Sequence, residues 1–228
     1  SSATGDGEEQ NVKTESLEEV KNPHDAVDPA TAYAPNLSTA KKELAALPVK
    51  EWASKAGYTR EQFGAAWDDV DHNGCNTRDD ILRRDLTNIR FKAGTRACTV
   101  QTGTLDDPYT GRTIEFKRGK KSSSAVQIDH VVALSNAWQT GAQDIGEEKR
   151  RELANDPENL VAADGPANMQ KSDADASDWL PGNTAYRCTY VARQVHVKAK
   201  YQLWVTADEK RVMENVLNSC KDTNPVKK

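Results

Sequence analysis

An α+β fold is predicted from three observations. Helical patterning fills the chain up to the tract DDILRRDL, short alternating runs then mark a hairpin, and two strand-length apolar runs, AVQIDHVVAL and NLVAA, lead directly into a capped helix. The 228 residues suffice for one sizeable domain. A hydrophobic fraction of 36% and a mean hydropathy of -0.80 read as a soluble chain, with no run of 18 apolar residues that would span a membrane.

Taken in order, residues 1–36 hold eight acids against Lys13 and Lys21 and few large apolar side chains. They cannot bury enough surface to offset ordering entropy and are expected as a disordered acidic tail. Ser38 is expected to cap a helix to about Leu47, with Leu44 and Leu47 recurring on the face of Ala40, and Pro48 ends it. A second helix is expected over residues 59–70, capped by Thr59 with Gln62 three residues on, burying Phe63, Trp67 and Val70. A polar loop at 71–78 and the amphipathic helix DDILRRDL follow.

Next, ACTVQTGTLDDPYTGRTIEF reads as a hairpin turning at Asp106, Asp107, Pro108 and Gly111. AVQIDHVVAL is a buried strand, succeeded by a helical stretch that holds Trp138 and continues through EEKRRELAND. NLVAA is a second strand, opening with Asn159 and ending at Asp164 and Gly165, either of which can cap the next helix, with Pro166 at its first position. That helix carries Asn168 and Lys171 and stops at WLPGN. The remaining C-terminal tract to Cys220 reads as helical and packs Tyr190, Val197, Tyr201, Leu203, Trp204, Val212 and Leu217. One domain is therefore expected over residues 37–220, with a short tail at 221–228.

Four scattered cysteines without a C-x-x-C pair argue against zinc and for disulfides in an oxidising compartment. Three connectivities are open. Cys75–Cys98 with Cys188–Cys220 is preferred, because each bridge closes a loop within one half of the chain. A start at Ser1 without an apolar leader fits a processed secreted protein or a trimmed sequence. The net charge of -4 is carried by the first 36 residues, and the body is slightly basic, with clusters at Lys117, Arg118, Lys120, Lys121 and at Arg193, Lys198, Lys200. Clusters of this size are usually solvated faces and only weakly suggest a polyanion partner.

Asp129 and His130 stand adjacent in an otherwise aliphatic strand, and hydrolysis of a phosphodiester needs a base, hard oxygen ligands for a metal and a cation near the phosphate. Neighbouring residues on an ideal strand face opposite ways, so the pair can share one site only if the strand bends or ends there.

Asp129-His130, Asn159, Asn168 and Lys171, with IDHVVALSNAWQTGA, NDPENLVA and NMQKSDADASDWLP, resemble the HNH, or ββα-metal, endonucleases. Within them, the chain is similar to the secreted actinobacterial family related to the C-terminal domain of GmrSD restriction enzymes, over about residues 50–220. The resemblance implies a ββα-metal core embedded in additional helices and a hairpin. It implies His130 as general base, Asn159 as its orienting residue, Asp129 and Asn168 as ligands of one divalent ion, and Lys171 at the substrate phosphate. Asn168 stands where many members have histidine, which favours Mg²⁺ or Mn²⁺ over zinc. Arg78, in the CNTR tract, is a further candidate for contact with phosphate.

The expected activity is that of a secreted endonuclease cleaving DNA, or RNA, with low sequence specificity, acting as a monomer. The rival is a non-catalytic extracellular calcium-binding or adhesion module. It draws on the loop Asp69, Asp71, Asn73, Gly74, Asp80, whose spacing fits a calcium loop but also a glycine turn held by Cys75. His72 and His196 have no ligand-spaced partners and read as surface or packing residues.

Overall fold

A computed structural model describes residues 11–23 and 34–221. The chain runs β1 (Thr14–Glu15), α1 (Leu37–Ala46), α2 (Thr77–Asp85), β2 (Thr87–Lys92), β3 (Val100–Asp106), β4 (Thr113–Lys117), β5 (Val126–His130), α3 (Leu134–Gln139), α4 (Glu147–Asn155), β6 (Leu160–Asp164), α5 (Gly165–Lys171), α6 (Arg187–Lys200) and α7 (Ala207–Asn218). The strands form two antiparallel sheets, β1-β2-β3-β4 and β5-β6. The class is α+β, as the sequence predicts.

Part of the segment expected as a disordered tail is ordered. Thr14 and Glu15 pair with Lys92 and Phe91 at the edge of the larger sheet, and Val20 packs into that sheet's apolar cluster. Backbone pairing holds this strand, and composition carries no signal of it. Residues 1–10, 24–33 and 222–228 lie outside the described residues, and the expectations for those stretches lie there too.

α1 begins one residue earlier than its expected cap, because Asn36 accepts a hydrogen bond from the Thr39 amide at 2.8 Å. The helix expected over 59–70 shrinks to a 3-10 turn at Arg60–Phe63. Gly64 at φ 83° and Trp67 at φ 58° adopt left-handed conformations that no continuous helix can include. Phe63 is buried all the same, against Tyr58 and Trp138. The helical tract after Arg187 divides in two, because residues 201–206 break off to place Leu203 and Val205 in the core, with Val205 bridging to Val49.

β3 and β4 pair without interruption from Thr102↔Lys117 to Asp106↔Thr113. At the turn, Asp107 accepts from the amides of Tyr109 at 3.2 Å and Thr110 at 2.9 Å, and also from the Asp164 amide at 3.0 Å. This buried carboxylate pins the hairpin tip to the end of β6, which brings Tyr109 under the smaller sheet.

β5 and β6 pair from Val126↔Asp164 to His130↔Leu160, and every residue of β6 is buried. Asp164 then caps α5 through the Ala167 amide at 2.9 Å, with Pro166 in the first turn. Gly165 is required by close approach, since a Cβ there would sit 2.0 Å from the Ser124 carbonyl oxygen. α5 therefore lies directly against the entry to β5, and the two strands with the helix form one compact unit.

The disulfides are Cys75–Cys98 and Cys188–Cys220, the preferred pairing. Among the described residues no helix is long and apolar enough to cross a membrane.

Candidate active site

The site is built at the point where β5 stops. Asp129 and His130 occupy regular ladder positions opposite Val161 and Leu160, and the chain leaves the sheet immediately after them. Both residues border one cavity at the end of the strand.

Asp129 is buried. Its Oδ2 accepts from Lys171 Nζ at 2.7 Å and from the Tyr109 hydroxyl. Burial, with Asp129 adjacent, raises the Tyr109 pKa well above the ordinary phenol value, so Tyr109 remains a donor. Lys171 is fully buried, and its ammonium also donates to the carbonyls of His130 at 2.5 Å and Val131 at 3.2 Å. Three acceptors satisfy its three donors. Lys171, expected at the substrate phosphate, therefore lies beneath the cavity as an internal clamp, with no surface of its own to offer a ligand.

His130 stacks face to face on Trp67, with ring centroids 5.7 Å apart and an interplanar angle of 5°. Its Nε2 lies 2.9 Å from the Ala154 carbonyl oxygen at the end of α4. A carbonyl can only accept, so Nε2 carries the proton and Nδ1 keeps its lone pair. Burial pushes the imidazole pKa down to about 3. The Ala154 bond opposes that shift, and the charges of Arg60 and Lys171 add to it. The ring is neutral.

Asn159 sits in the 3-10 turn Pro157–Asn159 just ahead of β6. It is fully buried and makes no hydrogen bond to the imidazole among the described residues. Its Oδ1 accepts from the Val132 amide at 2.8 Å, its Nδ2 donates to the carbonyls of Val132 at 3.3 Å and Leu153 at 3.4 Å, and its own carbonyl accepts from the Val131 amide at 2.8 Å. Asn159 thus ties the backbone that leaves His130 to the end of α4, the element that holds the ring through Ala154.

Asp129, His130 and Asn168 line one cavity of about 390 Å³, together with Lys55, Tyr58, Arg60, Ser135 and Asp173. Asn168 donates from Nδ2 to Gln127 Oε1 at 2.8 Å, which directs its amide. Neither Asn168 Oδ1 nor Asp129 Oδ1 has a hydrogen-bond partner among the described residues. Arg78 is elsewhere, on α2, with its guanidinium 3.5 Å from the Val126 carbonyl at the opposite end of β5.

The sequence reading missed Arg60, Trp67 and Asp173. Asp173 lies two residues past Lys171 and could have been found by extending the acidic and polar run KSDADAS. It accepts from the Ser135 hydroxyl at 2.9 Å, which with Lys55 at 3.5 Å holds its carboxyl below the ordinary range. Arg60 and Trp67 lie more than sixty residues before His130 and carry no local signal.

The loop of Asp69, Asp71 and Asp80 folds on its own backbone. Asp69 accepts from the amides of Asn73 at 3.1 Å and Gly74 at 2.9 Å, Asp71 accepts from the Asn73 amide at 3.2 Å, and Asn73 Nδ2 donates to Asp80 at 2.8 Å. Burial and the neighbouring carboxylates push Asp80 up to about 6. Among the described residues no group of three or more His, Cys, Asp or Glu side chains is arranged to hold a metal ion.

Residues 76–216 match the family described as GmrSD restriction endonucleases, C-terminal domain. The chain belongs to this family. The GmrSD C-terminal match spans both strands of the site, α5, α6 and most of α7, and starts after Arg60 and Trp67. A relative from Arthroderma benhamiae (strain ATCC MYA-4681 / CBS 112371), described as an uncharacterized secreted protein, is 36% identical over 194 residues, covering 84% of this chain and 90% of its own. No solved structure matches.

Proposed function

We propose that this protein is a secreted, metal-dependent endonuclease of low sequence specificity, in which β5, β6 and α5 are a ββα-metal core. The observation that carries this reading is the cavity where a neutral imidazole, a carboxylate and a carboxamide converge. His130 is held through Nε2, and among the described residues its Nδ1 and one oxygen each of Asp129 and Asn168 have no hydrogen-bond partner.

His130 Nδ1 takes a proton from the water that attacks phosphorus. Ala154 fixes the tautomer, Trp67 fixes the plane of the ring, and Asn159 fixes the backbone on which the ring is mounted. Two hard oxygens of this kind would suit Mg²⁺ or Mn²⁺. Asp129 and Asn168 would hold the ion, which supplies charge stabilisation at the phosphate and leaving oxygen. Lys171 and Tyr109 orient Asp129 by binding its other oxygen.

Nucleic acid is the substrate class implied by membership in a restriction-endonuclease family. The chain shows no helix-turn-helix or zinc-finger pattern to read bases, so backbone recognition is expected to dominate. Supercoiled plasmid should be nicked and degraded with Mg²⁺ or Mn²⁺ and left intact in EDTA. His130→Ala should lower the rate about 10²- to 10⁴-fold with an unchanged circular dichroism spectrum. Full cleavage by that variant removes His130 from the reaction.

A further inference from the structure

The cavity needs a cation that faces the substrate, and Lys171 cannot be it. Its ammonium is fully buried and donates to Asp129 and two carbonyls. Lys55 is half exposed and paired with Asp173 at 3.5 Å. Arg60 remains. It lines the same cavity, and its charge acts on the His130 imidazole. Its Nη1 donates to the Gly64 carbonyl at 3.3 Å, while its Nη2 is buried without a hydrogen-bond partner, and no carboxylate among the described residues pairs with it.

A partly desolvated guanidinium with no carboxylate in ion-pair contact is costly; burial lowers the Arg60 pKa, Tyr58 and Glu61 oppose that shift, and an arginine nevertheless stays charged. The position is nevertheless built. Phe63, at the other end of the same 3-10 turn, is buried against Trp138, and Arg150 of α4 donates to the Gln62 carbonyl at 2.8 Å. The turn therefore holds an unpaired cation beside the base, and the ligand such a cation lacks is an anion.

We propose that Arg60 binds the backbone phosphate next to the scissile bond, through the paired N–H groups that fit two phosphate oxygens. This rests on the nuclease reading of the cavity and extends the working site upstream of the segment that matches the family. It places the phosphate clamp on the 3-10 turn and leaves α5 to position Asp129.

Binding is measured separately from cleavage, by fluorescence anisotropy of a labelled DNA duplex in EDTA, with His130→Ala as the reference protein and Arg60→Gln and Arg60→Lys added to it. Arg60→Gln should weaken binding about tenfold and reduce the slope of log affinity against log salt by about 1. Arg60→Lys should recover part of the affinity, and the melting temperature of Arg60→Gln should stay level or rise, because an unpaired buried charge is removed. Unchanged affinity and salt slope in Arg60→Gln overturns the proposal, as does a loss of affinity that matches a loss of fold; if Arg60→Gln does not fold, Arg60→Met, which also removes the charge, is read against the same two criteria. A reference protein that binds no duplex, together with a wild type that cuts no plasmid, counts against the nuclease reading itself.

Discussion

Lys171 shows how one side chain can matter to a site without meeting the ligand. Its ammonium joins Asp129 on β5 to the carbonyls of His130 and Val131, so the last turn of α5 sets the position of the strand end. A buried pair of this sort is costly to break singly, because the surviving charge is stranded. Lys171→Met should lower the unfolding free energy by about 3–5 kcal/mol, and adding Asp129→Leu should recover most of it. Chemical denaturation of the single and double variants decides this, and a double variant as weak as the single would rule out a stranded charge as the cause. Asp129 and His130 stood out because polar residues interrupt an apolar strand, and Asn168 was pointed to by the resemblance to a family. The burial of Lys171 was not legible, since nothing in its spacing from Asn168 says which way the ammonium turns.

At the scale of elements, α1, α6 and the turn before β6 are joined by His196, which lies between Glu43 at 3.3 Å and Glu158 at 3.1 Å, with Lys200 also 3.0 Å from Glu158. The hydrogen bond to Glu158 raises the His196 pKa, and the bond from His196, followed by Lys200, lowers Glu158 to about 2. The raised histidine contributes stability that is complete below its ordinary value of 6.5 and is lost as pH rises through the folded value. The lowered glutamate contributes stability present above 4.5 and lost as pH falls toward about 2. Melting temperature should therefore peak between those limits, and His196→Gln should flatten the decline on the alkaline side. An identical decline in the variant would assign it to other groups. Periodicity made α1, α2, the hairpin and α5 legible, and of the helix caps it offered Asp164 for α5. It failed over residues 59–70, where Gly64 and Trp67 turn the backbone left-handed, and it missed β2, which pairs with β3 through two register shifts.

For the whole molecule, the two disulfides close loops with sequence separations of 23 and 32. Each is expected to contribute about 3.5 kcal/mol by restricting the unfolded chain. Disulfides persist in oxidising compartments, and a relative of the chain is described as secreted. Replacing Cys75 and Cys98 together by serine should lower the melting temperature by roughly 10 °C, read by calorimetry, and a change of only a degree or two would mean that the reduced chain is already constrained.

The sequence by itself determined the class, because strand alternation, capping and turn chemistry are local and are written in neighbouring residues; it left three disulfide pairings open, of which the structure shows the preferred one, and it pointed to the residues around His130 through their resemblance to a family. Tertiary structure alone decided which polar groups face the cavity and which are consumed inside. It turned Lys171 into a clamp, moved Arg78 to the far end of β5 and brought Arg60 and Trp67 to His130. Those outcomes depend on how separate elements pack, and no pattern within one segment records the partner that a side chain meets across the core.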